Sequence, residues 1–217
     1  MSLIRTVPAI KEKIQSVMKD YQDAKDNCPA FEHFAEETRA ELKQNYIKNL
    51  NEKTLQKLED IQSDVSIKKA VINSTVNKKK FPATNSALLN GTQSEIIKQR
   101  AEQLAMNNLD SNVVSYLKSE VENNNLDFIN YFRNAVKLNT SVSSELKSEM
   151  NQLFNDVDNT TGLTDLNNEL ALCSAYETKI NSYKDVVNDD SPGKRMAFIY
   201  VDNDIQKLEK ELKTDTI

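Results

Sequence analysis

Apolar residues recur along this chain at alternating steps of three and four, which is the spacing that lines one face of an α-helix. The first such row begins just after Pro8 and ends before Asn27. Proline is favoured in the first turn of a helix because its fixed φ suits the helix and its missing N–H is not needed there. The pattern therefore predicts a first helix between these two residues. Its apolar face consists of Ile10, Ile14, Val17, Tyr21 and Ala24.

A second block, from Ala30 to Phe81, contains neither glycine nor proline. It predicts either one long helix or two helices broken near residues 45–51. The second half of the block follows a heptad register that favours coiled-coil packing, although Gln62 and Lys69 interrupt it. The apolar positions of this register are Leu55, Leu58, Val65, Ile72 and Val76.

A change of composition separates this block from the rest of the chain. Residues 78–90 contain a lysine triplet, Pro82 and several small polar residues, which predicts a loop. We therefore expect an N-terminal helical region at residues 1–80, a linker at 81–91 and a second helical region at 92–217. Thr92 and Glu95 then form a capping-box pattern, which predicts the start of the next helix.

Three further helices are predicted between that start and Gly162. In each of them the inward-facing apolar residues are three or four positions apart. A serine precedes the third, and serine is a preferred N-cap residue. The predicted spans are Ser111–Glu122, Leu126–Leu138, and Ser143 or Ser144 to about Val157.

The last third of the chain carries the most regular pattern. Leu166 and Leu170 belong to a three-four repeat that starts at Leu163, and the turn Ser191-Pro192-Gly193 ends that repeat. An unbroken three-four-three-four row follows the turn. Two such helices joined by a short turn predict an antiparallel coiled-coil hairpin over residues 163–213. The row of the second helix consists of Phe198, Val201, Ile205, Leu208 and Leu212.

Together these patterns predict an all-α fold, a multi-helix bundle of about seven to nine helices that ends in the C-terminal hairpin. The 217 residues suffice for one large domain or two small ones. The first ten residues lack the apolar core of a secretory signal, and no apolar run approaches the length of a membrane span. We therefore expect a soluble, cytoplasmic protein.

The composition argues against several classes of site. The three glycines lie too far apart for a phosphate-binding loop. His33 is the one histidine, which argues against metal sites built on two or more histidines. Cys28 and Cys173 form no C-x-x-C motif and are expected to be free thiols in structural positions. No cofactor and no metal are expected.

Two weaker patterns have structural alternatives. His33 with a carboxylate from Glu36 or Glu37 would give a general base, and an enzyme of this kind is the least favoured hypothesis, because an exposed or capping histidine explains the pattern more simply. The segment Asp156–Gly162 resembles a calcium loop, but it lacks the glycine at the sixth position and the glutamate at the twelfth. A loop connecting two helices is the expectation there.

Charge suggests an alternative function. The main basic concentration consists of Lys68, Lys69, Lys78, Lys79 and Lys80, in a chain with a net charge of -5 and a pI near 5.1. Attraction to phosphate would therefore be local and sensitive to salt. The alternative is a nucleic-acid accessory protein that contacts phosphates through this segment, although a solvated flank of a helix is the simpler explanation.

The leading interpretation is a non-enzymatic structural or adaptor subunit of a larger assembly. Three-four rows with occasional polar residues are typical of helices that meet other helices in a defined register. The row after the turn would carry the contact with a protein partner or a second copy, with Leu166 and Leu170 facing it or facing the partner. The 25 Asn, and the 23 Lys against five Arg, are typical of an AT-rich genome, and a virus or phage particle is one such assembly.

Overall fold

The computed structural model describes residues 6–85, 91–107 and 109–214, and these residues are helical apart from short connections, with no strand among them. The predicted all-α multi-helix bundle is confirmed. In chain order the helices are α1 (Thr6–Asp26), α2 (Glu36–Lys80), α3 (Pro82–Asn85), α4 (Gly91–Met106), α5 (Asn112–Glu122), α6 (Leu126–Val136), α7 (Ser144–Thr161), α8 (Leu163–Asn188) and α9 (Pro192–Thr214).

Helix α2 is one uninterrupted helix of 45 residues, so the alternative break near residues 45–51 does not occur. Two acidic residues lie in its first turn and three lysines in its last, and both placements are favourable to the helix macrodipole. The loop predicted over residues 78–90 is wrong at 78–80, because α2 continues to Lys80, and at 82–85, which are helical. Pro82–Asn85 add one further helical turn, and residues 86–90 lie outside the described residues.

The ends of α7 show how single residues set a boundary. Ser143 is its N-cap, because the Ser143 Oγ accepts a hydrogen bond from the backbone N–H of Leu146 at 3.2 Å. Gly162 is its C-cap, with a left-handed φ of 67° that glycine adopts without steric cost. The segment Asp156–Thr161 is therefore helical, and the expectation of a loop there is wrong. Helix α4 begins at Gly91, which places Thr92 inside the first turn and not at the predicted cap.

The chain divides into two compact units. The first unit comprises Met1–Ala70 and Asn168–Ile217, and the second unit comprises Val71–Asn167. The division of the chain at residues 81–91 stays a prediction.

The second unit has a continuous apolar core centred on α6. Phe128 and Phe132 are 1% and 0% exposed, and α4 packs against α6 through Ala101 and Ala105, which are fully buried. Small side chains at this contact bring the two helix backbones close together. Asn139 ties the end of α4 to the core, because its Nδ2 donates to the carbonyl of Ala105 at 2.8 Å. The other large side chains of this core include Leu117, Ile129, Met150 and Phe154.

The first unit joins α1 and the first part of α2 to α9 and to α8 from residue 168 onwards. Helices α1 and α8 contact each other through the rings of Tyr21 and Tyr183, whose centroids are 6.1 Å apart. Both helices also contact α2: Tyr21 Oη donates to Asn51 Oδ1 at 3.1 Å, and Lys69 of α2 pairs with Glu177 of α8. The fully buried core residues of this unit include Ile14, Leu58, Val65, Cys173, Ile180 and Val187.

Contacts between side chains show that α8 and α9 run antiparallel. The rings of Tyr183 and Phe198 lie 5.2 Å apart, and Lys179 pairs with Asp202 further along the two helices. Nearer the end of α9, Tyr176 Oη donates to Glu209 Oε1 at 2.7 Å. A coiled-coil geometry for this pair stays a prediction.

Candidate protein-interaction surface on helix α9

The predicted apolar row of α9 is only partly buried. Ile205, at the centre of the row, is 5% exposed, and it is the one residue classed as buried among the described side chains of α9. Leu170 on α8 is half-buried, and Leu166 is buried but belongs to the second unit. The row therefore attaches α9 to its own unit while leaving part of its apolar surface accessible. The half-buried members of the row are Phe198, Val201, Leu208 and Leu212.

A shallow hollow of about 210 Å³ marks where the row stays accessible between α8 and α9. Val201, Ile205 and Leu208 line it from α9, and Ala175 and Thr178 line it from α8. The two small side chains on α8 leave space above Ile205. The hollow therefore gives a neighbouring apolar side chain direct access to the predicted row.

Helix α9 also presents a second apolar row, which the sequence analysis did not single out. Met196, Ile199 and Tyr200 are 49%, 48% and 63% exposed. At 3.6 residues per turn, these three positions lie roughly opposite Ile205 on the helix. The signal was present in the sequence as an i, i+3, i+4 spacing, but the longer row on the other face obscured it.

Two hollows lie along the contact between α1 and α9, and we call them together the α1–α9 groove. The larger hollow, of about 600 Å³, is lined by three aromatic rings: Tyr21 of α1, Tyr183 of α8 and Phe198 of α9. Tyr21 and Tyr183 are 4% and 6% exposed, and burial raises the pKa of both hydroxyls. A smaller hollow of about 260 Å³ lies between the same two helices nearer Lys11 and Glu209.

The lining of the larger hollow includes an ion-pair cluster of one carboxylate, Asp190, and two cations, Arg195 and Lys25. Arg195 donates through Nε and Nη2 to the two carboxylate oxygens of Asp190, and Lys25 donates to Asp190 Oδ2. The hydrogen bonds from Arg195, together with Lys25, lower the pKa of Asp190 from 3.8 to about 2. Asp190 therefore links α1 to the turn before α9.

Most of the other contacts that attach α9 are polar. Lys11 of α1 pairs with Glu209, and Lys179 of α8 pairs with Asp202. Glu209 also accepts the hydrogen bond from Tyr176. Helix α9 thus lies on α1 and α8 through these ion pairs, the ring contact between Tyr183 and Phe198 and the buried side chain of Ile205.

The basic segment of α2 is largely engaged within the chain. In the first unit, Lys68 lies 3.7 Å from Glu169 and Lys69 lies 2.5 Å from Glu177, and the Lys68 side chain is 10% exposed. In the second unit, Lys79 Nζ donates to the carbonyl of Thr161. Nucleic-acid binding through Lys68–Lys80, which includes Lys78 and Lys80, stays a prediction.

The remaining candidate residues do not line the hollows beside α9. His33 is exposed in the turn between α1 and α2, and Glu36 and Glu37 are exposed at the start of α2. Cys28 is half-buried, whereas Cys173 is fully buried, and its burial raises the pKa of the thiol. Among the described residues, no three His, Cys, Asp or Glu side chains are grouped so that they could hold a metal ion.

Comparisons with known proteins identify no relative of this chain. Within the described part of the chain, no helix is both long and apolar enough to cross a membrane. Comparison with protein-family models, with curated proteins and with solved structures finds no match to this chain.

Proposed function

We propose that this protein is a non-enzymatic structural or adaptor subunit that binds another protein through α9. The observation that carries this proposal is the row formed by Met196, Ile199 and Tyr200, which are 48% to 63% exposed on a helix whose opposite side already faces its own unit. Neighbouring exposed apolar side chains are characteristic of protein-protein contact sites. An i, i+3, i+4 spacing suits contact with the groove or face of another helix.

The hollow between α8 and α9 supports the same proposal. It opens onto Val201, Ile205 and Leu208, three members of the row expected to carry the contact. A partner on α9 would therefore have apolar contacts on both sides of the helix. The high content of Asn and Lys favours an AT-rich genome, and we place the protein in the cytoplasm or in a virus or phage particle.

Photo-crosslinking from α9 tests the proposal. A benzophenone amino acid replaces Tyr200, and the same amino acid at Leu138 is the control, because Leu138 is 73% exposed in the second unit. We expect a crosslinked adduct of defined mass from position 200 and none from position 138 when the protein is expressed in its natural source. Equal labelling at both positions, or no adduct at position 200, would contradict the proposal.

A further inference from the structure

The two hollows of the α1–α9 groove together follow several turns of α1. Their lining on α1 extends from Lys11 in the smaller hollow to Asp26 in the larger one. At 1.5 Å per residue this corresponds to about 22 Å, or four turns of helix. Because the larger hollow holds about 600 Å³ and has an aromatic floor, it has room for a large apolar side chain.

The rim of the groove is locally basic. Around the larger hollow, Lys19, Lys25 and Arg195 outnumber the carboxylates of Asp26 and Asp190, in a chain whose net charge is -5. In the smaller hollow the carboxylates are already paired, Glu209 with Lys11 and Asp202 with Lys179. Carboxylates of a partner segment would therefore be attracted chiefly to the larger hollow.

Two cations in the lining of the larger hollow, Lys19 and Arg195, retain capacity for another acceptor. Lys19 is exposed and has no ion-pair partner among the described residues. Arg195 uses Nε and Nη2 on Asp190, its side chain is 58% exposed, and no contact within the described residues occupies its Nη1. An arginine has five N–H donors, so a second carboxylate can be bound at the free edge of the guanidinium.

From this geometry we infer that the α1–α9 groove binds an acidic amphipathic helix of a partner protein. The inference rests on the proposed function, and it specifies the chemistry of the partner. A large apolar side chain of that helix occupies the hollow over Tyr21, Tyr183 and Phe198. Its carboxylates, one turn to either side, pair with Lys19 and Arg195. Ile199, on the rim of the hollow, extends the apolar contact towards Tyr200.

A pair of synthetic peptides tests the inference directly. The probe is a four-turn helical peptide with leucine on one face and glutamate on the flanks, and the matched peptide has lysine in place of glutamate. Binding to the isotope-labelled full chain is followed by amide NMR shifts during titration. We expect the acidic peptide to shift the resonances of residues around Lys19 and Arg195, and the basic peptide to leave them unchanged.

Charge reversal on α9 tests whether the acidic peptide binds at the groove or is attracted by the charge of the protein as a whole. Arg195→Glu removes a rim cation, and Lys207→Glu is the matched control, because Lys207 is 77% exposed and does not line the groove. We expect Arg195→Glu to weaken binding of the acidic peptide at least about tenfold, and Lys207→Glu to change it less than about twofold. Circular dichroism confirms that both variants remain helical.

Three outcomes would overturn the inference: no shift with the acidic peptide at millimolar concentration, equal binding of both peptides, or equal weakening by the two variants. If the peptide fails while crosslinking from Tyr200 still yields its defined adduct, the groove assignment is wrong and the proposed function stands. If both fail, the proposed function falls as well.

Discussion

Arg133 of α6 donates through Nη1 to both carboxylate oxygens of Asp158 of α7, at 2.9 and 2.8 Å. The guanidinium also lies over the ring of Phe154, 5.2 Å from its centroid. The Asp158 side chain is 11% exposed and that of Arg133 is 26% exposed, so the carboxylate is largely withdrawn from water while the guanidinium keeps some contact with it. Because a buried carboxylate without its cation is strongly unfavourable, this contact holds α7 against α6 in one register.

We expect Arg133→Gln to lower the free energy of unfolding by about 2 kcal/mol, because it leaves the Asp158 carboxylate buried without a compensating charge. Urea titration followed by circular dichroism measures the change. Lys207→Gln is the control, because Lys207 pairs with Glu211 at 3.9 Å and both side chains are more than half exposed. That substitution is expected to cost less than about 0.5 kcal/mol. Equal effects of the two substitutions would contradict the structural role of the buried pair.

Substitution by alanine is expected to destabilise the protein at one of its glycines, Gly162, but not at another, Gly193. Gly162 has a φ of 67°, and a Cβ added there would meet Lys79 Nζ at 3.1 Å, so Gly162→Ala is expected to lower the free energy of unfolding by about 1 kcal/mol. Gly193, in the first turn of α9, has open space around it. Gly193→Ala is expected to be neutral or stabilising by about 0.5 kcal/mol. Thermal melts of the two variants test the contrast, and equal destabilisation by both would rule it out.

The helices that the sequence predicted best are those with an uninterrupted three-four spacing and a recognisable start signal, such as α1 with Pro8 in its first turn and α7 after Ser143. The end of α2 was missed for a tertiary reason. Val76 is 6% exposed, and the carbonyl of Lys80 accepts a hydrogen bond from Asn130 Nδ2 at 2.9 Å. These contacts hold the lysine triplet in helical conformation, although its composition indicated a loop.

The candidate site was predictable only in part. The row around Ile205 follows from spacing, but spacing does not show how deeply a row is buried, and most of this one is only half-buried. The partners of Lys68 and Lys69 are Glu169 and Glu177, about a hundred positions away in the sequence, so no local pattern could reveal them. The α1–α9 groove needs residues from three helices, and for the same reason it became apparent only in the structure.

Asp190 is expected to make stability depend on pH in the acidic range. Its pKa is lowered from 3.8 to about 2 by Arg195 and Lys25, so its carboxylate stabilises the fold fully above pH 3.8 and loses that contribution as the pH falls towards 2. Asp190→Asn removes the contribution at every pH. The difference in unfolding free energy between wild type and variant should therefore shrink as the pH falls through this window. A difference that stays constant from pH 6 to pH 2 would contradict this assignment.

Ile205 is expected to be the apolar residue on which the attachment of α9 depends most. Because its side chain is 5% exposed, Ile205→Asp places a carboxylate in an apolar contact, and we expect a loss of about 3 kcal/mol in the free energy of unfolding of the first unit. Ile199→Asp is the matched control on the same helix, because Ile199 is 48% exposed. It should change stability by less than about 0.5 kcal/mol and yet abolish the crosslink from Tyr200. Urea denaturation of both variants, with hydrogen exchange across residues 192–212, measures the two effects. If Ile205→Asp left both stability and exchange unchanged, the row formed by Phe198, Val201, Ile205, Leu208 and Leu212 would not hold α9 in place.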